Sequence, residues 1–471
     1  MASLSYDEGA HLLRRAGFGG NPQDIDELSS RGREGAVDFL INFNQIDNSA
    51  MESLLAANFD FSTVDAITNG EIRRWWFTRM VNTRRQFEEK MTLFWHNHFA
   101  TSSSKVQDFF MLNQNVLLRQ LALDRFDNLL VKVSQDPAML IWLDNITNVL
   151  GRPNENFARE LQELFTMGIN DLVTGDQNYT EQDVKEVARA FTGWNFRRQP
   201  PFPFQINAPE HDNGIKSIYT GTQWAQTGNL SGEDVIAIIS ARAATARYLT
   251  WKLFNFFVYP VTSTAEDKAT IDKFAKVYLN NNHSVKELVR AIFTSDEFFS
   301  GRAFFSLVKQ PAELMVGAIR MLGGSYNQGT SARGSNTLAN FSRNMGQDLF
   351  GPPDVAGWDF NLGWVDTARM LERFNFANAY LANRNTTNPG VFITNDQLKS
   401  ITKPSSKKTV KKFLSRLGPL SVGEALGTLR GYLETGDNGQ PVNYVNDDAT
   451  VDKKIRGLVH QIMCLPEFQL N

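Results

Sequence analysis

The chain of 471 residues has one cysteine, Cys464, which excludes an internal disulfide, a zinc ribbon and a cysteine-held iron–sulfur centre. A lone thiol fits either redox compartment, so it does not report location. Charge of one sign is also missing. Lys and Arg number 48 against 51 Asp and Glu, a formal net charge of −3. That balance argues against nucleic-acid coating or membrane adsorption as the main activity. Long apolar runs are absent too: residues 253–260 form one of the longest, and Asn255 interrupts it far short of the roughly 20 residues that cross a bilayer. A soluble protein without membrane insertion is expected. The opening residues, MASLSYDEGAHLLRRAGFGG, lack the basic start and apolar stretch of a secretory leader. As written, the chain is expected to be cytoplasmic or to have lost its leader. No Walker loop, dinucleotide glycine fingerprint, HExxH or nucleophile elbow occurs, so no nucleotide or NAD is expected.

What is present is bulky apolar volume, 35 Phe and 9 Trp, enough for a large core without metal or disulfide staples. Apolar residues recur at helical spacing and strict alternation is scarce, which predicts an all-α body. In 86–97, Phe87, Met91, Phe94, Trp95 and then His98 fall on one stripe. A second helix is read over 154–167, with Phe157, Leu161, Leu164 and Phe165 inward. A third is read over 180–194, with Thr180 as N-cap, Asp183 as its capping partner, and Gly193 ending the run. Residues 195–232 are rich in Pro, Gly, Asn and Gln and read as a long, partly β insert or lid. The expected organisation is a helical region 1–194, this insert, a second helical region 233–380, and a polar linker with C-terminal helices over 381–471, folding as one compact body. Polar tracts at 323–347 and 382–406 are read as surface loops.

Four stretches have the residue types that do chemistry. The first is FWHNHF at 94–99, where His96 and His98 point about 200° apart on a continuous helix but converge if the helix ends near Asn97. A bland alternative makes His98 a core histidine. In the second, 154–163, Asn156, Glu160 and Glu163 share one helix face while Glu155 and Arg159 form an i, i+4 pair; a solvated face explains the same letters. The third, EHDNGIK at 210–216, offers His211 and Asp212 as an acid–base pair and Lys216 as an anion contact, or is a plain turn. GPPDVAGW at 351–358 is the fourth; it presents Asp354 and Trp358 on a stiff loop, or simply packs.

Taken with HLLRRAGFG at 11–19, DPAML at 136–140, YTEQDVKEVARAFTGW at 179–194 and TARYLTWKLFNFFV at 245–258, these blocks resemble, over nearly the whole chain, the bacterial family catalogued as domain of unknown function 1800. The resemblance implies a mostly exported protein encoded beside a sulfatase-like or phosphatase-like companion, working on an anionic polymer. This chain departs by showing no leader and by lacking a His–Pro step near residues 243–247.

Three functions compete. The first is a metal-dependent hydrolase of an anionic or carbohydrate polymer, in which His96, His98, Glu155 and Glu160 hold one divalent ion, zinc first, that acidifies a bound water. His211, Asp212 and Glu163 then move protons, and Arg159 and Lys216 hold the anionic group, beside Asp354 and the sugar platforms Trp194 and Trp358. The second is a metal-free polysaccharide lyase or glycosidase in the same pocket. A non-catalytic helical scaffold that binds a glycan or a partner protein is the third.

Overall fold

Capping side chains fix where many of the helices start. Ser5 with Glu8, Asn21 with Asp24, Thr180 with Asp183 and Ser231 with Asp234 each form a reciprocal box that satisfies orphan N–H groups in the first turn. The computed structural model describes residues 3–327, 337–384, 390–418 and 423–471. The architecture is all-α with a few two-stranded sheets. One cluster of buried apolar side chains runs from Leu4 to Phe468. Among the described residues no helix is long and apolar enough to cross a membrane.

The helix Gln86–His98 lies at the centre, and every residue of it except Asn97 is buried. It packs on Gly32–Ile41, Asn69–Asn82 and Asp108–Gln120. A helix buried on every side must also take its polar residues into the core, where a charge is stable when it is paired. Glu89 accepts from Arg79 Nε and Arg119 Nε at 2.8 Å each, and from Trp76 Nε1 at 2.9 Å. Burial alone would raise its pKa, but the two guanidinium groups hold the carboxyl down at about 2. Lys90 is buried against Glu313 and also donates to the Gly17 carbonyl at 3.0 Å.

The insert at 195–232 forms two antiparallel hairpins, Trp194–Phe196 with Phe204–Ile206 and Lys216–Ile218 with Gln226–Gly228. At its entry Gly193 adopts φ +75°, and a Cβ there would meet the Asn207 carbonyl at 2.7 Å. The second hairpin is pinned to the body: Tyr219 N–H donates to Asp183 at 2.5 Å and its hydroxyl donates to Gln162 at 3.0 Å.

Three expectations are corrected. The second helix spans only Asn156–Glu163, because Asn154 Oδ1 takes the Asn156 N–H and because Leu164 and Phe165 N–H both donate to the Glu160 carbonyl, which ends the regular ladder. The third is regular only over Glu181–Ala190. Nor are the polar tracts plain loops: Ser325–Asn327 pairs with Gly390–Phe392, and helices span Leu338–Asn344 and Asn395–Ile401. Residues 328–336 and 385–389 of those tracts lie outside the described residues.

Candidate functional site

The central helix continues through His98 and does not stop at Asn97, so its last turn presents Asn97 sideways to the 351–358 loop. Asn97 Oδ1 accepts the Trp358 N–H at 2.6 Å. The contact is close because Gly357, at φ +89°, has no Cβ; one built there would lie 2.2 Å from Asn97 Oδ1. This clamp, with the helix Ala243–Phe257, forms a cavity of about 320 Å³. Phe94, Trp251, Phe256, Trp358 and Phe360 line it, and its polar groups come from Asn97, His98, Lys252, Asn255, Asp354 and Asp359.

Three polar groups of this lining lack a partner. His98 Nε2 lies 3.0 Å from the Phe165 carbonyl and must donate its proton there, which leaves Nδ1 a bare acceptor with no hydrogen bond. Trp358 is 5% exposed, and its Nε1 is a donor with none either. Half-buried Lys252 forms no hydrogen bond or ion pair among the described residues; it has only the Tyr248 and Trp251 rings, at 5.5 and 5.9 Å. Burial pushes its pKa down to about 8, and no carboxylate offsets the effect. The aspartates at the mouth are exposed. Asp354 Oδ1 accepts the Ala356 N–H at 2.9 Å, and Asp359 sits 3.6 Å from Arg369.

Of the residues singled out in the sequence, the cavity brings together His98, Asp354 and Trp358. The expected metal set is not assembled. His96 and His98 share a continuous helix and face opposite ways, and among the described residues no three His, Cys, Asp or Glu side chains gather to hold an ion. His96 lies among the Trp76, Phe350 and Trp358 rings and accepts the Phe350 N–H at 3.1 Å on Nε2. Burial pushes both imidazoles down to about 3; Lys252 adds to the effect at His98, and the bond to Phe165 opposes it.

Fold contacts occupy most of the other candidates. Arg159 binds Glu181 through two bonds of 2.8 Å, with Glu155 at 3.4 Å. Glu163 accepts the Tyr179 hydroxyl at 2.9 Å. Half-buried Glu160 has its pKa raised by burial and by Glu163, against Arg159. His211 Nδ1 bonds the Thr192 carbonyl at 2.7 Å, and Asp212 is held by Arg189 Nε at 2.7 Å. Lys216 is not an anion contact: its buried ammonium donates to the Asp212 and Gly214 carbonyls and to Asn229. Trp194, 1% exposed between Phe191 and Phe204, is a core residue with no face for a sugar.

Asn97, Trp251, Lys252, Asn255 and Asp359 line the cavity without being among the site candidates of the sequence. A signal is there: Tyr248, Trp251, Lys252 and Asn255 recur at i, i+3, i+4 and i+7, placing a cation and an amide on one stripe with two aromatic rings. The Asn255 that rules out a membrane span is itself pocket lining.

A family model described as a protein of unknown function, DUF1800, matches residues 11–470. No curated protein and no solved structure matches the chain. The blocks that converge on the cavity, at 94–99, 245–258 and 351–358, all fall inside the matched span, and the chain belongs to the DUF1800 family.

Proposed function

We propose that the protein acts on a glycan without a resident metal, as a polysaccharide lyase or glycosidase, and that the cavity between the central helix, the Ala243–Phe257 helix and the 351–358 loop receives the sugar. One observation carries this reading: three residues with an unpartnered polar group, His98 at Nδ1, Trp358 at Nε1 and Lys252 at its ammonium, line a single aromatic-walled cavity. Buried polar groups are normally satisfied, so a cluster of exceptions marks a place where a ligand completes the hydrogen bonding. A sugar suits it. Hydroxyls both donate and accept, and the ring's apolar face stacks on an indole such as that of half-buried Trp251. At about 320 Å³ the cavity is at the small end of ligand pockets, matching one or two rings of a longer chain.

Proton transfer in this pocket falls to Asp354 and Asp359. The histidines are unsuited because they stay neutral far below physiological pH and have almost no basicity to offer. The test is a polysaccharide screen read for both unsaturated products and new reducing ends, on wild type beside Trp251→Ala and Trp358→Ala. Product formation that falls at least tenfold in both variants supports the reading. Silence on every substrate from a folded protein overturns the catalytic part.

A binding scaffold is the second reading, and the engagement of Arg159, Asp212 and Lys216 in the fold favours it, because the polar face and insert then serve structure. Glycan binding without any product identifies it.

A further inference from the structure

We propose that the cavity selects acidic sugars, with Lys252 as the seat of the ligand's anionic substituent, a carboxylate or a sulfate. This rests on the glycan reading above and adds to it the charge of the substrate.

The argument starts from where charge lies in the cavity. Half-buried Lys252 lies on the cavity side of the Ala243–Phe257 helix and meets only aromatic rings, so its ammonium has given up part of its water without gaining a counter-ion. Cation–π attraction offsets only part of that loss. Every titratable neighbour fails to supply the missing charge. His98 on the central helix is neutral, Tyr248 on the same helix has its phenol pushed up by burial and by Glu163, and Glu163 itself is engaged by Tyr179. Asp354 and Asp359 sit at the exposed mouth, where one is folded into its own turn and the other faces Arg369.

The two aspartates raise the opposite possibility, a cationic amino sugar. Depth decides against it. A charge–charge contact gains far more in the low dielectric beside Lys252 than among screened groups at the rim, and Asp359 already has its cation. An anion on Lys252 supplies the one counter-charge that the cavity lining leaves out, while the sugar ring keeps its apolar face for the aromatic wall.

Binding of such a ligand is linked to a proton. Lys252 is ammonium below about pH 8 in the empty pocket, so affinity is flat there. Above it the free amine must take up a proton to pair with the anion, and affinity falls about tenfold per pH unit.

The experiment is calorimetric titration of the full chain at pH 7, 8 and 9, in buffers of different ionisation heat, with neutral, uronate-bearing and sulfated oligosaccharides of matched length. Wild type is compared with Lys252→Met and Lys252→Arg. The expected result at pH 7 is at least tenfold tighter binding of an acidic oligosaccharide than of the neutral one. Lys252→Met loses that preference and Lys252→Arg keeps it. Between pH 8 and 9 only the wild type weakens, about fivefold, with proton uptake, because arginine stays charged. Preference for the uronate or for the sulfate identifies the anionic group, and either supports the proposal. Equal binding of neutral and acidic ligands, unchanged in Lys252→Met, overturns the charge selection and leaves the glycan reading standing. Failure of every ligand to bind folded wild type overturns both. If Lys252→Met does not fold, the pH dependence of wild type against Lys252→Arg decides alone.

Discussion

Gly357 and Asn97 are the residue pair on which the cavity depends. With φ at +89° and no room for a methyl group, Gly357→Ala must both strain the backbone and push the loop off Asn97. The expected cost is roughly 2 kcal/mol or more, read as a lower midpoint in urea, together with loss of ligand binding at temperatures where the variant is still folded. The histidines allow a second check at this scale. Their pKa values near 3 mean that NMR titration of the His96 and His98 ring signals shows no step between pH 8 and 4, whereas a solvated histidine titrates near 6.5. A step near neutrality would contradict the buried placement.

Among the elements, the helix starts were legible because capping and periodicity are local. Thr180 with Asp183 is three residues apart in sequence and in the fold makes the reciprocal bonds read from it. Thr180→Ala is therefore expected to cost about 1 kcal/mol in chemical denaturation and to leave pocket binding unchanged, since Thr180 is not part of the lining. What local pattern could not supply was the partner of each charged side chain. Arg159 finds Glu181, and Arg189 finds Asp212, across more than twenty residues, and these contacts turn candidate chemistry into structural ties. The cavity was legible only in pieces for the same reason. Two of its blocks carry the candidates His98, Asp354 and Trp358, but its lysine stands in a third, 245–258, to which the sequence alone assigns no chemistry.

In the whole molecule, the central helix sets acid and base groups at odds inside one core. Burial and the neighbouring Glu89 raise Glu88 to about 7, against Arg119, Arg79 and Arg85, and its Oε2 has no partner. The folded pKa lies above the unfolded one, so ionising this carboxyl opposes folding and stability falls as pH climbs from about 4.5 through 7. Glu88→Gln should accordingly be more stable than wild type at pH 8, with the difference in unfolding free energy closing by pH 5. A gap independent of pH would show that the site is not titrating.

The Asn97 clamp has a further consequence for how ligand arrives. The wall formed by the 351–358 loop is tied to the last turn of a buried helix, so it has no hinge of its own and is already in place before binding. Association should then be a single step. In stopped-flow traces of tryptophan fluorescence, the observed rate is expected to rise linearly with oligosaccharide concentration and not to level off at a gating limit.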